Sequence, residues 1–269
     1  MSDDRAIGVF DSGVGGLTVA RAIVDLLPNE RIVYVGDTAR FPYGDKTVGQ
    51  IRRYALEIAE HLVGQDVKML VVACNSIEVS AIGDIATGAG IPVVGVINPG
   101  ARAALRATRS GVVGVIGTVA TIRSGAYQRA IGSSAELHAS ACPVFVDHVE
   151  RGDTTSPALR EAARGYLGPL MTAGVDTLIL GCTHYPLLSG MLQLELGPDV
   201  VLVSSAEETA KDVYATLLHA GSIRQDLEPP RHDFLTTGDP ATFERLTELF
   251  VGHELAGEVR AIEETSAWS

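Results

Sequence analysis

Cysteine and lysine are both scarce: Cys74, Cys142 and Cys182, and Lys46, Lys68 and Lys211, are all there are in 269 residues. Three thiols, an odd number, give no disulfide framework, so free thiols in a reducing cytoplasm are the expectation. The net charge, 21 − 33 = −12, argues against a general nucleic-acid surface, which needs a stripe of Lys and Arg to neutralise phosphates. Long apolar runs are missing as well. The longest mild one, residues 111–122, is Gly-rich and falls short of the ~18 apolar residues of a membrane span. No secretory leader is expected, because the opening MSDDRAIGVF is acidic and lacks a charged-then-apolar start.

What is there is ordinary for a soluble globular chain, 46% hydrophobic and 20% charged, long enough for one large core or two small ones. Short Val- and Ile-rich runs alternate with Ala-rich stretches: AIGVF, RIVYVG, KMLVVA, PVVGVI, VVGVIG, DTLILG and DVVLVS. Continuous apolar runs of this length suit buried parallel strands. Residues 17–27 and 51–63 between them carry apolar positions at three- and four-residue spacing, as helices do. The series predicts an α/β fold with parallel sheets.

The chain also repeats itself. Aligning LVVACNSIE (residues 70–78) with LILGCTHYP (178–186) on their cysteines gives an offset of 182 − 74 = 108. The same offset pairs Val67 with Val175 and Leu70 with Leu178, and IGVFDSG near the start resembles VGVIGTV at 113–119. Two similar lobes are expected: residues 1–97 plus 208–269 around Cys74, and residues 98–207 around Cys182. EPPRHD reads as a loop, and the final EETSAWS as a frayed terminus.

Ligands of parallel sheets gather at the carboxyl ends of the strands. Cys74 and Cys182 each stand at such an end, just before a helix. Asn75 or Ser76 is expected to cap the first helix and Thr183 the second, with Pro186 in the first turn of the latter. A helix start lowers a thiol's pKa toward the thiolate. A lone Cys after a strand is ordinarily a small buried hydrophobe, but repetition points to chemistry. Residue types alone leave a redox pair, a metal site and an acid/base pair open, although compact CxxC spacing is absent. Cys142, in SACPVFV, has no such neighbours and reads as core.

Three further places stand out. DSGVGGLTV (residues 11–19) is a Gly-rich strand-to-helix turn without GxGxxG spacing or a GK[ST] ending, so dinucleotide and P-loop readings are poor. It reads either as a loop whose N–H groups and Ser12 hydroxyl approach a small anion, or as a tight turn capped by Asp11. GDTARFPYG (36–44) follows a strand, and Pro42, Tyr43 and Gly44 make a stiff turn that presents backbone groups. Glu150, in FVDHVERG, is by default a solvated charge.

Taken in order, FDSGVGGL, GDTARFPYG, ACNS, ATIRSGAY, CPVFVDHVERG, LGCTHYPLL and SSAEETA closely resemble the glutamate racemases, over residues 7–218. The resemblance implies two pseudo-symmetric α/β lobes with the active site in the cleft between them, no cofactor and no metal. It implies interconversion of L- and D-glutamate, supplying D-glutamate for peptidoglycan, by a paired-cysteine mechanism on Cys74 and Cys182. It places substrate contacts on Asp11, Ser12, Tyr43, Gly44, Asn75, Ser76, Thr183 and His184, and assisting groups on Asp11, Glu150 and His184. Ser76 stands where many members carry Thr, which keeps the hydroxyl, and Asn98 replaces a common Glu. The family further implies a homodimer, and some members bind and inhibit DNA gyrase, a role the stretch after Ser222 could carry. An aspartate racemase of the same mechanism is the alternative in chemistry. A pyridoxal-dependent racemase using Lys211 is a third reading.

Overall fold

All seven apolar runs become strands. The structure, a computed structural model, describes residues 3–251 and 259–262; the stretch expected to fray, 263–269, lies outside the described residues. The chain divides into two compact units, Met1–Val96 with Ala206–Ser269, and Ile97–Ser205. In chain order the first unit opens with β1 (Ile7–Asp11), α1 (Leu17–Leu26), β2 (Ile32–Gly36), α2 (Val48–Gly64), β3 (Met69–Val72), α3 (Asn75–Ala89) and β4 (Val93–Val94). The second unit follows with α4 (Ile97–Ala107), β5 (Val112–Gly117), α5 (Val119–Arg123), α6 (Ala126–Ile131) and β6 (Glu136–Ala141). It continues with α7 (Val144–Glu150), α8 (Pro157–Thr172), β7 (Thr177–Gly181), α9 (Ser189–Leu196) and β8 (Val201–Val203). The first unit then resumes with α10 (Ala206–Ala220), β9 (Asp233–Thr236), α11 (Pro240–Val251) and β10 (Val259–Ala261).

Every strand pairing among the described residues is parallel. The first sheet runs β10-β9-β2-β1-β3-β4 and the second β6-β5-β7-β8. The run β2-β1-β3-β4 of the first sheet therefore repeats the order of the second, with β1 matching β5 and β3 matching β7. The fold is α/β, two parallel sheets flanked by helices. Among the described residues no helix is long and apolar enough to cross a membrane.

In the first unit β1, β2 and β3 are buried along their whole length, as helices on both faces require. On one side α1 turns Leu17, Val19, Ala20 and Ile23 into the same buried cluster as Ala206, Ala210, Val213 and Leu217 of α10. Each large aliphatic side chain removed from water there contributes about 1.5–3 kcal/mol. Tyr34 of β2 joins Phe234 of β9 and Phe243 of α11 at ring-centroid distances of 6.3 and 6.1 Å, so the late segment is packed into the core of the early one. EPPRHD is a loop up to Asp233, where β9 begins.

Opposite the carboxyl ends of the strands lies a buried ion pair. Lys68 Nζ sits 2.6 Å from a Glu30 carboxylate oxygen, both side chains almost fully enclosed. The same ammonium donates to the carbonyls of Asp3 and Ser222, each at 2.8 Å, and Glu30 accepts from the Arg224 N–H at 2.9 Å. The pair thus ties the start of β3 to the amino-terminal segment and to the chain after α10. Removing one partner of a buried pair leaves an uncompensated charge. Lys68→Met should therefore lower unfolding stability by about 3 kcal/mol, read as a lower urea midpoint. Adding Glu30→Leu to it should recover most of the loss, and a single variant as stable as the parent would contradict this account.

Candidate active site

In the first unit three loops leave the carboxyl ends of β1, β2 and β3. Asp11 closes β1, opposite Gly36 of β2, and is fully buried. Its Oδ2 accepts from the N–H groups of Gly13 (3.3 Å) and Gly16 (3.0 Å). Two N–H groups of the Gly-rich turn are thus engaged by the protein's own carboxylate, the capping alternative of the sequence reading. Gly16 is required sterically: a Cβ there would lie 2.6 Å from Asp11 Cβ and 2.9 Å from Ala73 Cβ. With the glycine, α1 starts close against the strand ends.

Cys74 is itself the N-cap of α3, with extended backbone (φ −84°, ψ 122°), and is 6% exposed. Asn75 and Ser76, expected as caps, are instead the first helical residues; the chain enters α3 directly from Ala73, so the thiol occupies the capping position. Cys74 Sγ lies 3.6 Å from Ser12 Oγ. A thiol at the start of a 15-residue helix sits at the positive end of the macrodipole, which favours the thiolate.

The loop after β2 is organised around Asp37, a fully buried carboxylate that sequence reasoning did not single out. Arg40 Nε bonds both its oxygens, at 3.0 and 2.7 Å, and the Tyr43 hydroxyl donates to Oδ2. Arg40 is held in turn by Glu57 of α2 and lies 4.1 Å from the centre of the Tyr54 ring. Tyr43 is buried, and burial with the Asp37 charge beside it pushes its hydroxyl far above the usual phenol range, so it remains a donor. Beyond Gly44 the chain enters α2 through a capping box, with Gln50 N bonding Thr47 Oγ1 (3.3 Å) and Thr47 N bonding Gln50 Oε1 (3.0 Å).

In the second unit Cys182 follows β7 and is 7% exposed. The turn behind it differs from the one expected. Residues Tyr185–Leu188 form a 3₁₀ turn with His184, not Thr183, at its N-cap position and no side-chain cap. Pro186 lies in the first turn and so lacks the N–H that a cap would need to satisfy. His184 is buried with Nδ1 4.0 Å from Cys182 Sγ and Nε2 2.9 Å from Glu150 Oε1. A carboxylate only accepts, so Nε2 is the donor to Glu150, and the other ring nitrogen, Nδ1, is the one directed at the thiol. Glu150, the last residue of α7, is a partner of this imidazole and not a free surface charge.

Cys182 thus has a thiol–imidazole–carboxylate arrangement, whereas Cys74 has a hydroxyl and a helix start. The repeat of the strands does not extend to what surrounds the sulfur. Asn98, the residue that departs from the family pattern, is exposed at the start of α4.

Cys142 is fully buried, as its sequence context suggests. Its carbonyl accepts from the Tyr185 hydroxyl at 2.8 Å, and Phe145 packs edge-on against Tyr185 and Tyr166. Burial pushes the Cys142 thiol up to about 12. It is therefore protonated at neutral pH as well as enclosed. In native protein treated with iodoacetamide at about pH 8, where free thiols begin to ionise, Cys142 should stay unlabelled by peptide mass spectrometry until denaturant is added. Labelling of Cys142 in the folded protein ahead of Cys74 and Cys182 would contradict its assignment to the core.

The family model for Asp/Glu/hydantoin racemases matches residues 7–213. A glutamate racemase of Parafrankia sp. is 56% identical over 252 residues, 93% of this chain and 91% of that protein. Among solved structures, a glutamate racemase isoform of Bacillus anthracis superposes with a TM-score of 0.91 at 42% identity, over 96% of this chain and 97% of that one. The glutamate racemase of Francisella tularensis, solved in complex with D-glutamate, gives 0.89 at 35% identity over 98% of each chain. With the match spanning both units and all three loops described above, the chain belongs to the Asp/Glu/hydantoin racemase family.

Proposed function

We propose that this protein is a glutamate racemase that interconverts L- and D-glutamate without a cofactor, using Cys74 and Cys182 as its two acid/base groups. One observation carries the reading: a thiol outside any disulfide follows the matching strand, β3 or β7, in each of two sheets that share a run of four strands in the same order. Relatives named glutamate racemase at more than half identity supply the substrate.

Inverting an amino acid requires removal of the α-proton from one face and delivery of a proton to the other. One sulfur, as thiolate, takes the α-proton and becomes a thiol. The other, as thiol, gives its proton to the opposite face and becomes a thiolate. The sum of the two transfers is the enantiomer and an enzyme with the roles of its cysteines exchanged. A modest pKa shift makes either form of a thiol available near neutral pH.

The residues around each sulfur suit that task. Asp11 supports the Cys74 side by organising the turn that carries Ser12. His184 takes up the Cys182 proton, and Glu150 stabilises the resulting imidazolium. Ser12, Asn75, Ser76 and Thr183 donate hydrogen bonds to the substrate carboxylate and to the charge that develops as the α-proton leaves. Tyr43 and Gly44 hold the rest of the substrate, and a cytoplasmic enzyme of this kind delivers D-glutamate to peptidoglycan synthesis.

Cys74→Ala and Cys182→Ala should each lower kcat for glutamate by about a thousandfold or more while leaving the circular dichroism spectrum unchanged. Cys142→Ala should retain activity. Full activity in either of the first two variants would sink the two-base assignment.

Isotope exchange tests the division of labour. A thiol exchanges its proton with water between turnovers, so in heavy water the early product should carry deuterium at Cα. The remaining starting enantiomer should stay largely unlabelled, whichever hand is supplied, as read by proton NMR. Early product that keeps the substrate's own hydrogen in both directions would point to one swinging base.

A further inference from the structure

We propose that Thr237, from the stretch after Ser222, is a positioning residue for the loop that carries Tyr43 and Gly44. The inference rests on the reading above, in which Tyr43 and Gly44 hold the substrate. Its starting point is the two ends of one carboxylate. Thr237 Oγ1 donates to Asp37 Oδ1 at 2.7 Å, while Tyr43 donates to Oδ2. The two residues are thereby joined through a single rigid group across a sequence separation of about 200 residues.

The connection is built on both sides of that group. The Ala39 N–H donates to Thr237 Oγ1 at 3.1 Å, so the same hydroxyl donates to Asp37 and accepts from the loop. Thr38 Oγ1 and Thr236 Oγ1 are 2.6 Å apart, and the Gly238 N–H donates to Thr236 Oγ1 at 3.2 Å. The approach is close enough to need glycine: a Cβ on Gly238 would fall 2.4 Å from Thr38 Oγ1. Parallel pairing supplies the register, because Gly36 and Thr236 are partners at the ends of β2 and β9. Asp37 N also donates to the Asp11 carbonyl at 3.1 Å, so the carboxylate that Thr237 holds is anchored to the turn bearing Ser12.

Why Thr237 sets geometry more than stability follows from its surroundings. It is only half-buried, and Asp37 keeps Arg40 and Tyr43 when the Thr237 hydroxyl is gone. What disappears is the short hydroxyl bond to the Oδ1 side of the carboxylate, together with the acceptor that holds Ala39. The loop then has one attachment fewer at its start, and Tyr43 follows the carboxylate it is bonded to.

The test compares Thr237→Val, which keeps the shape and removes the hydroxyl, with Thr237→Ser, which restores it. In the substrate-free protein, amide hydrogen exchange of the peptide covering residues 37–45 should be at least about tenfold faster in Thr237→Val and near the parent's rate in Thr237→Ser. KM for both enantiomers of glutamate should rise about tenfold in the Val variant with a smaller fall in kcat, and return with Ser. The urea midpoint should stay near the parent's in both. Unchanged exchange in Thr237→Val overturns the proposal, and so does faster exchange with unaltered KM and kcat. A lowered midpoint with no rescue by Ser also overturns it, since it makes Thr237 merely structural. A parent protein that does not racemise glutamate at all would overturn the functional reading first, while the exchange experiment still decides whether Thr237 holds the loop.

Discussion

Parallel strand pairing is the constraint on which the other features of this molecule depend. When every strand of a sheet runs the same way, every strand's carboxyl end reaches the same edge, and each chain segment must turn there before it can return as a helix. Asp11 and Cys74 stand at or just past the ends of β1 and β3, and Cys182 just past the end of β7, for that reason. No long-range attraction between polar groups has to assemble these edges. Burial of the apolar strand interiors assembles them, and the polar residues are carried along at the ends.

That division explains what could be read from the residues. The central strands announce themselves, because a strand buried on both faces is apolar through its interior, as IGVF, MLVV and LILG are. β6 and β10 lie at sheet edges, and β9 beside one, and none announces itself. ELHASA, the sequence of β6, is never more than half-buried and carries a charge and a histidine, so it lacks the apolar signature. The position of the thiols was legible through the 108-residue repeat, and the capping residues were not. Asn75, Ser76 and Thr183 look like N-caps in a linear reading, but the N-cap belongs to whichever residue the strand's length brings to the helix start. Asp37 was hidden for a different reason: Thr237, which bonds it, and Glu57, which holds its partner Arg40, come from distant segments, and nothing in the linear sequence marks the carboxylate as buried.

The two cysteines show how a repeat diverges. Backbone and strand order are retained in both units, since hydrophobic packing depends on them. The immediate neighbours of the sulfurs are set by loops, which vary without disturbing the sheets. On one side a long helix and a hydroxyl attend the thiol; on the other, a short 3₁₀ turn leaves room for an imidazole backed by a carboxylate.

The late arrival of β9 has a consequence for biosynthesis. Residues Ile97–Ser205 are one uninterrupted stretch and contain everything their sheet needs. The first unit is interrupted by them. Until Asp233–Thr236 emerges from the ribosome, the outer edge of β2 has no neighbour, and Tyr34 lacks Phe234 and Phe243. At synthesis rates of about 5–20 residues per second the ~200 residues that separate the two strands take on the order of 10–40 s to make. For that interval a strand edge with unpaired N–H and C=O groups is a template for pairing with other nascent chains. Pairing with β9 closes that edge, so the exposure belongs to the growing chain and not to the finished sheet.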